Sequence, residues 1–581
     1  MNRSTLALAA ALALPTGWAA AQDTAIVINP EASGVHFTPP ELARQVADSA
    51  IQFFNAKTTS RLVGRTEIPA GAAWSGNVAV RNGPVILAGR IDGSLLVING
   101  DLVMRPGADV SGSVLVLGGQ LTGADSAHVD GSARAYYEPL AYRVRGDTLQ
   151  YAPDLRRRYG QLAAEYAFTT PETRSALTVA TGGTYDRVEG LPLVFGPVFD
   201  WQVDPVDHLR LDAVGVFRSA GDLSGGRSDL GYRLHAEFKR GRYQPVSLAF
   251  RAFNAVQPVE DWTLTGAEVG WASFLFHRDY RDYYTDQGWG LRLSVQPERQ
   301  LSGYVEVRRE SERSTDSRDP WTLFRNDETW RPNPPIDGGH YHTLGLGLTL
   351  DTRNDPEEPT TGWWARARVE HSASPDVRPQ DGVPAFVRPA LPTDGSYAFS
   401  QVFLDVRRYT RIGSFGRANL RMVAGGWLGG DPLPLQDRLS LGGPDPMAGY
   451  PFRYSACNRE IVDPAFGASQ PAACDRILLF QGEYRGHINL RWAYSPGEDQ
   501  PESGLLYRLE GPDLVVFGDA GQAWLVGNGP GRIPSDRLPN IGSWIADLGL
   551  GIDWGGIGLY AAKAVTLGQP VRLTLRLSHR F

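Results

Sequence analysis

The sequence predicts an all-β chain, an antiparallel transmembrane β-barrel of about 16 strands preceded by a short β-solenoid. Three observations carry this. From about residue 175 onward, segments of roughly ten residues alternate apolar and polar side chains and are separated by turn residues. The chain ends on such a segment, Gln569–Phe581. Val571, Leu573, Leu575, Leu577, His579 and Phe581 take one parity, and Arg572, Thr574, Arg576, Ser578 and Arg580 the other. Ahead of the barrel, residues 59–135 repeat short β-branched runs and glycines at a fixed spacing.

Successive strand side chains point to opposite faces, so the last segment has an apolar face and an arginine-rich face. One such strand alone reads as an ordinary amphipathic edge strand. Repetition decides against that. Leu230, Tyr232, Leu234, Ala236 and Phe238 alternate with Gly231, Arg233, His235, Glu237 and Lys239. Leu344, Leu346, Leu348 and Leu350 alternate with Gly345, Gly347, Thr349 and Asp351. Phe480, Gly482, Tyr484, Gly486, Ile488, Leu490 and Trp492 alternate with Gln481, Glu483, Arg485, His487, Asn489 and Arg491. Charges at every second position over many strands fit a polar lumen, with lipid outside, far better than a sandwich core.

Composition agrees. After the N-terminus the 581 residues hold no apolar run long enough for a spanning helix, and mean hydropathy is −0.26. Glycine, at 66 residues, and 10% aromatics suit tight turns and interfacial girdles. The net charge of −7 comes with no basic tract, so no nucleic-acid partner is expected.

In chain order, residues 1–21 read as a secretory signal, with Arg3, the apolar run Leu6–Leu14, and Ala19-Ala20-Ala21 at the cleavage site. Residues 22–58 form a flexible lead with one short helix, Glu41–Asn55. Thr38 is its candidate N-cap, and Leu42, Val46, Ala50 and Phe53 its apolar stripe. In residues 59–135, Ile91-Asp-Gly-Ser94, Val110-Ser-Gly-Ser113 and Val129-Asp-Gly-Ser132 recur at a spacing of 19. Each rung would bury its Val, Ile and Leu on the next, with glycine at the corners. This stretch resembles the bactofilin-type polymer-forming domain. The resemblance implies self-association, with a plain spacer role as the alternative.

Residues 136–174 read as a linker, and 175–581 as the barrel. Strands are expected to start near 175, 190, 207, 228, 244, 287, 301, 341, 361, 398, 416, 477, 512, 542, 555 and 569. An even number returns both barrel ends to the periplasmic side. The long polar connections, 256–286, 314–340, 373–397 and 430–476, would lie outside or fold into the lumen. Cys457 and Cys474 fall in one of them, and in an exported chain that spacing favours a disulfide.

Four stretches narrow the reading. They are Asp351-Thr-Arg-Asn-Asp-Pro with Pro359-Thr-Thr-Gly362-Trp363, then Leu441-Gly442-Gly443-Pro-Asp-Pro-Met447-Ala448-Gly449-Tyr450, then Gly482-Glu483-Tyr484-Arg485, and Phe517-Gly-Asp519-Ala-Gly521. With terminal Phe581, a barrel-closure signal, their order and spacing resemble the barrel of the BamA/TamA superfamily, also called the bacterial surface antigen family. The resemblance covers about 400 residues and implies an outer-membrane barrel of sixteen strands. It also implies an inward-folded loop between the eleventh and twelfth strands, where Leu441–Tyr450 falls. Tyr185-Asp-Arg-Val-Glu-Gly-Leu191 and Asp279-Tyr-Arg-Asp-Tyr-Tyr284 look like features of less characterised relatives.

Two departures stand out. No POTRA repeats are visible, the solenoid occupying their position, and the family's loop arginine is replaced by Ala448. Glu483 and Asp519 keep lumen-facing parity on strands that should be adjacent, and two such carboxylates call for a cation. In the family the loop arginine fills that place. Here Arg453 is the expected substitute, with Arg485 the rival. His235 and His487 read as lumen-facing polar residues. With no G-x-S-x-G, H-E-x-x-H or P-loop, no enzyme, cofactor or metal site is expected. The resemblance implies assistance to insertion or translocation of proteins at the outer membrane. The partners would be membrane lipids and nascent outer-membrane or secreted proteins. The alternative is a non-catalytic anchoring barrel whose periplasmic solenoid binds or polymerises. A simple porin comes third, because an inward loop would plug it.

Overall fold

The computed structural model describes residue 42 and residues 44–64, 66–136, 140, 142–145, 148–151, 163–169, 173–181, 184–203, 207–220, 229–241, 244–298, 300–353, 359–413, 416–458, 471–488, 512–554, 557–565 and 568–581. The signal segment, Thr38, Gly182-Gly183, positions 354–358 and the Asn489–Trp492 end of the Phe480 pattern lie outside the described residues. The chain divides into two units, one covering residues 36–158 with 169–171, the other the rest.

In the first unit three parallel sheets stack rung on rung. The longest comprises Thr59–Val63, Asn77–Arg81, Leu95–Ile98, Val114–Leu117 and Ala133–Tyr136, making about four turns. Its partners are Thr59 with Asn77, Val78 with Leu95, Leu95 with Val114, and Val114 with Ala133. The spacing of 19 therefore holds for the later rungs, and the earlier ones are shorter. Val78, Val80, Val97, Val114 and Val116 fill the interior with Leu87, Ile91 and Leu102. The corners are crowded. A Cβ on Gly119 would lie 2.0 Å from the Gly100 carbonyl oxygen, so only glycine stacks there.

Helix α1, Arg44–Asn55, covers the outward side of this sheet. Its most buried residues are Ala47, Ala50 and Phe54, together with Leu42 just before it, packed on Ala79, Leu96, Ile98 and Leu117. Val46 and Phe53, expected on the stripe, are only partly buried. The stripe is rotated because Leu140 and Leu149, from the following hairpin, join the same cluster. Asn55 exchanges two hydrogen bonds with the Leu149 backbone, each 2.8 Å, and Asn99 does the same with Leu140.

The second unit is a sheet of seventeen antiparallel strands among the described residues. Its strands are β1 (Ala163–Thr169), β2 (Thr173–Thr181), β3 (Pro192–Gln202), β4 (Asp207–Arg218), β5 (Leu230–Arg240), β6 (Val246–Pro258), β7 (Tyr283–Glu298), β8 (Leu301–Ser314), β9 (Gly339–Asp351), β10 (Gly362–Ser374), β11 (Tyr397–Ile412), β12 (Gly416–Gly430), β13 (Arg476–His487), β14 (Asp513–Val526), β15 (Ile545–Trp554), β16 (Ile557–Ala564) and β17 (Arg572–Arg576). A helix, α2 (Gly266–Phe276), lies between β6 and β7. The sixteen strands from β2 onward are those the alternation predicts. β1 is additional, a short strand hidden in a polar stretch.

The parity also holds. Leu344, Leu346 and Leu348 are exposed on the outer face, as are Leu548, Leu550 and Ile552. The inner face carries buried charges that find one another. Glu306 meets Arg251 at 2.8 Å and Arg292 at 2.9 Å, Arg308 meets Glu370 at 3.0 Å, and Arg421 meets Asp405 at 2.8 Å. Connections at one end are mostly short, such as 203–206, 299–300, 413–415 and 555–556. Five long ones, 259–282, 315–338, 375–396, 431–475 and 527–544, lie at the other end.

Candidate functional site

The site is the inward loop, 441–453, and what holds it. Leu441 and Ser455 exchange backbone hydrogen bonds of 2.8 and 2.9 Å, closing the loop's base. Gly442 takes φ +114°, and a Cβ there would sit 2.7 Å from the Pro451 oxygen, so the chain can double back only on glycine. Cys457 and Cys474 are joined, and a bridge between Leu439 and Cys474 continues the neck.

The loop tip docks on the inner face of β13–β16. Met447 and Tyr450 are buried with Val423, Ile477, Leu479, Ala523 and Ala564. Ala448 packs on Val515, Phe517, Tyr560 and Ala562. The Gly449 N–H donates to Asp547 Oδ2 at 2.6 Å. A Cβ on Gly449 would lie 2.6 Å from the Asp547 Cβ and 2.8 Å from the Ala564 nitrogen, so the tip fits only because position 449 is bare. Gln481 reaches across to the Pro446 carbonyl at 2.8 Å, and Tyr450 donates its hydroxyl to the Ala546 carbonyl at 3.0 Å.

Glu483 and Asp519 are both buried on the adjacent strands β13 and β14. Asp519 lies opposite Gln481, one step along from Glu483. Two arginines supply the cation. Arg485 donates to Glu483 at 2.6 Å. Arg580 donates to Asp519 at 2.5 Å, approaches Glu483 at 3.6 Å, and lies over the Phe517 ring at 3.7 Å.

Arg453, expected to meet Glu483 or Asp519, does neither. It binds Glu260 at 3.1 Å and Asp282, both in the connection between β6 and β7. The reason is the hairpin neck. After Tyr450 the chain turns back, the Arg453 N–H donating to the Gly442 carbonyl at 3.2 Å, and its side chain meets the opposite wall. Arg580 was legible only as one arginine on the inward parity of the terminal segment. Nothing local relates it to Asp519, 61 residues away.

The last strand departs from expectation too. Its ladder with β16 stops at Arg576. His579, placed on the apolar face by parity, instead lies 3.1 Å from Asp553, beyond the end of the ladder. Phe581 is partly buried beyond the end of the ladder. Arg576 donates to Glu268 at 2.5 Å and lies 3.7 Å from Asp445 of the inward loop, and the Leu577 N–H donates to Glu268 at 3.1 Å.

Glu268 belongs to α2. It forms the helix's capping box with Thr265 and still accepts from Arg576. A Cβ on Gly266 would lie 2.6 Å from the Thr184 hydroxyl, and one on Gly270 would lie 3.1 Å from the Thr184 methyl. α2 thus touches the residues that follow β2 and also the end of β17.

The two unassigned motifs are partners. Arg187, fully buried, lies 3.2 Å from Asp279 and 2.8 Å from Asp282, and donates to Asn333 at 3.0 Å. Asp282 also binds Arg331 at 2.7 Å, as well as Arg453. Burial alone would raise the Asp282 carboxyl, but Arg331, Arg453 and Arg187 outweigh it and hold it below the usual carboxylate range. The loop therefore has two anchors, one on the β13–β15 wall and one on the connection between β6 and β7.

Residues 230–472 match the Omp85 superfamily domain. The match runs from β5 through the inward loop. Among solved structures, BamA from Haemophilus ducreyi lacking POTRA domains 1–3 is 11% identical with a TM-score of 0.39, covering 75% of this chain and 79% of that one. CdiB from Acinetobacter baumannii is 12% identical with a TM-score of 0.28, covering 70% and 59%. CdiB from Escherichia coli is 12% identical with a TM-score of 0.30, covering 76% and 66%. No curated protein matches the sequence.

Proposed function

We propose that this Omp85-type barrel assists insertion or translocation of proteins at the outer membrane, with its solenoid in the periplasm where related barrels carry POTRA repeats. One observation carries the reading. The terminal segment leaves its ladder at Arg576 and is bound inside by the carboxylates that also face the inward loop. β17 is five residues long, against sixteen in β7 or β11. In an antiparallel sheet of seventeen strands β1 and β17 run the same way, so no antiparallel ladder can join them. Unpaired strand edges present N–H and C=O groups that template a new strand. The process would be thermodynamically passive, the incoming strand replacing weak pairing.

The test is crosslinking in the native envelope from a photoreactive side chain at Leu575, exposed on β17. Newly made outer-membrane or secreted proteins should be captured. Capture of self-contacts or cell-wall material alone would favour the second reading, an anchoring barrel. The observation behind that alternative is the open last rung of the solenoid, where Ala133 and Arg134 are exposed.

A further inference from the structure

On the outer face of β6–β9 the register defines cross-strand rows. Phe250, Leu291, Val307 and Leu344 form one row. One outward step toward the long connections, about 7 Å along the strand, the row reads Ala252, Trp289, Arg309 and His342. The next reads Asn254, Gln287, Ser311 and His340, with Arg313 one step beyond. The wall thus turns from aliphatic to basic within one step.

The small side chains of Ala252 and Ser311 leave a groove of about 710 Å³ between Tyr232, Phe250 and Trp289 on one side and Arg309, Arg313 and His340 on the other. Glu310 also borders the groove, but it is buried, as are the other carboxylates on this part of β7 and β8, Asp286 and Glu312. His340 meets Asp376 at 2.7 Å, whereas among the described residues Arg309 and Arg313 have no ion-pair partner.

We infer that this groove binds a phosphate-bearing lipid of the outer leaflet, its phosphates on Arg309 and Arg313 and its acyl chains on the aliphatic rows below. Arginine on a lipid-facing wall is tolerated near the interface and costly at the midplane, so the basic row marks the headgroup level. A guanidinium fork matches phosphate oxygens. Tyr and Trp belong at the same level because one end of each ring is apolar and the other polar. A soluble anion would gain nothing from the rows beneath, and that argues for a lipid. The inference rests on the outer-membrane reading, with the long connections outside.

The test uses the full-length protein purified from membranes in mild detergent, titrated with lipid A and read by native mass spectrometry. R309E/R313E should lower retained lipid A by about tenfold or more, and lipid A stripped of phosphate should bind the wild type similarly weakly. R240E/R411E, at the short-turn rim, should change nothing. Heat-modifiable gel mobility confirms folding, and R309Q/R313Q decides the matter if charge reversal prevents it. Equal retention by the double variant, equal binding of phosphate-free lipid, or full displacement by millimolar inorganic phosphate would each overturn the inference. Recovery of the native protein as a soluble species would defeat the outer-membrane reading itself. A membrane barrel that retains no lipid A defeats only this proposal.

Discussion

Replacing Arg580 with alanine removes the cation shared by Asp519 and Glu483. Glu483 keeps Arg485 at 2.6 Å and the Asn419 amide at 2.8 Å. Asp519 keeps a 3.3 Å hydrogen bond from Gln481 and a side-chain contact with its cross-strand neighbour Asp547, and, among the described residues, no other cation. The loss therefore falls on Asp519. Breaking a buried pair by removing one partner costs about 3–5 kcal/mol, and the lower figure applies where a polar neighbour remains. At ~1.4 kcal/mol per tenfold, ~3 kcal/mol raises the undocked population roughly a hundredfold. The effect should be local, because the barrel ladders are untouched. Hydrogen exchange followed by mass spectrometry reads it at two amides, Gly449, bound to Asp547, and Leu577, bound to Glu268. Both should exchange about a hundredfold faster in R580A. R453A is the contrast. It should loosen the anchor at Glu260 and Asp282 and leave the Gly449 amide protected. Gly449 and Leu577 exchange in R580A within about threefold of wild type would refute the idea that the terminal arginine couples strand end and loop.

Three further outcomes follow from the same geometry. Quantitative thiol labelling of the unfolded, unreduced protein should find no free thiol, and C457S/C474S should destabilise the loop by about 3 kcal/mol in the chain-entropy model, read as protease sensitivity. Asp282 is depressed, so its contribution is fully present above the ordinary carboxylate pKa of ~3.9 and lost only as pH falls through its lower folded value. Glu260 is raised by burial against the opposing pull of Arg453, so its protonation on acidification does not destabilise the fold. Protease protection of the loop should accordingly be flat between about pH 7.5 and pH 5, and a loss near pH 6 would contradict this assignment. A fragment of residues 39–151 should be soluble and unfold cooperatively. Ending it at 140 removes Leu149 and its two bonds to Asn55 and should cost about 2–3 kcal/mol by denaturant titration.

The alternation of side chains determined much of this protein. Sixteen strand starts, from Thr173 to Arg572, fall within four residues of where the pattern puts them. A lumen of charges and a lipid face of leucines each impose a period of two, and the two requirements reinforce each other. The solenoid rungs were legible for the same reason, since each corner admits glycine or little else. The inward position of the loop followed from a motif set, and Gly449 shows why that motif is glycine-rich.

Tertiary structure alone decided which charges meet. Along the chain Arg453 was favoured for its nearness to the loop motif, Arg485 was the rival on the strand face of Glu483, and Arg580 was one inward-parity arginine among several. The hairpin neck at Leu441 and Ser455 turned Arg453 away, and the end of pairing at Arg576 freed the terminal segment to bring Arg580 in. The rotation of the α1 stripe was hidden for a similar reason. It depends on Leu149, a neighbour distant in sequence, and local pattern carries no record of that neighbour. Periodicity reports which face a side chain takes. Partner choice among buried charges depends on where loops and strand ends bring them in space, and that is set by the whole fold.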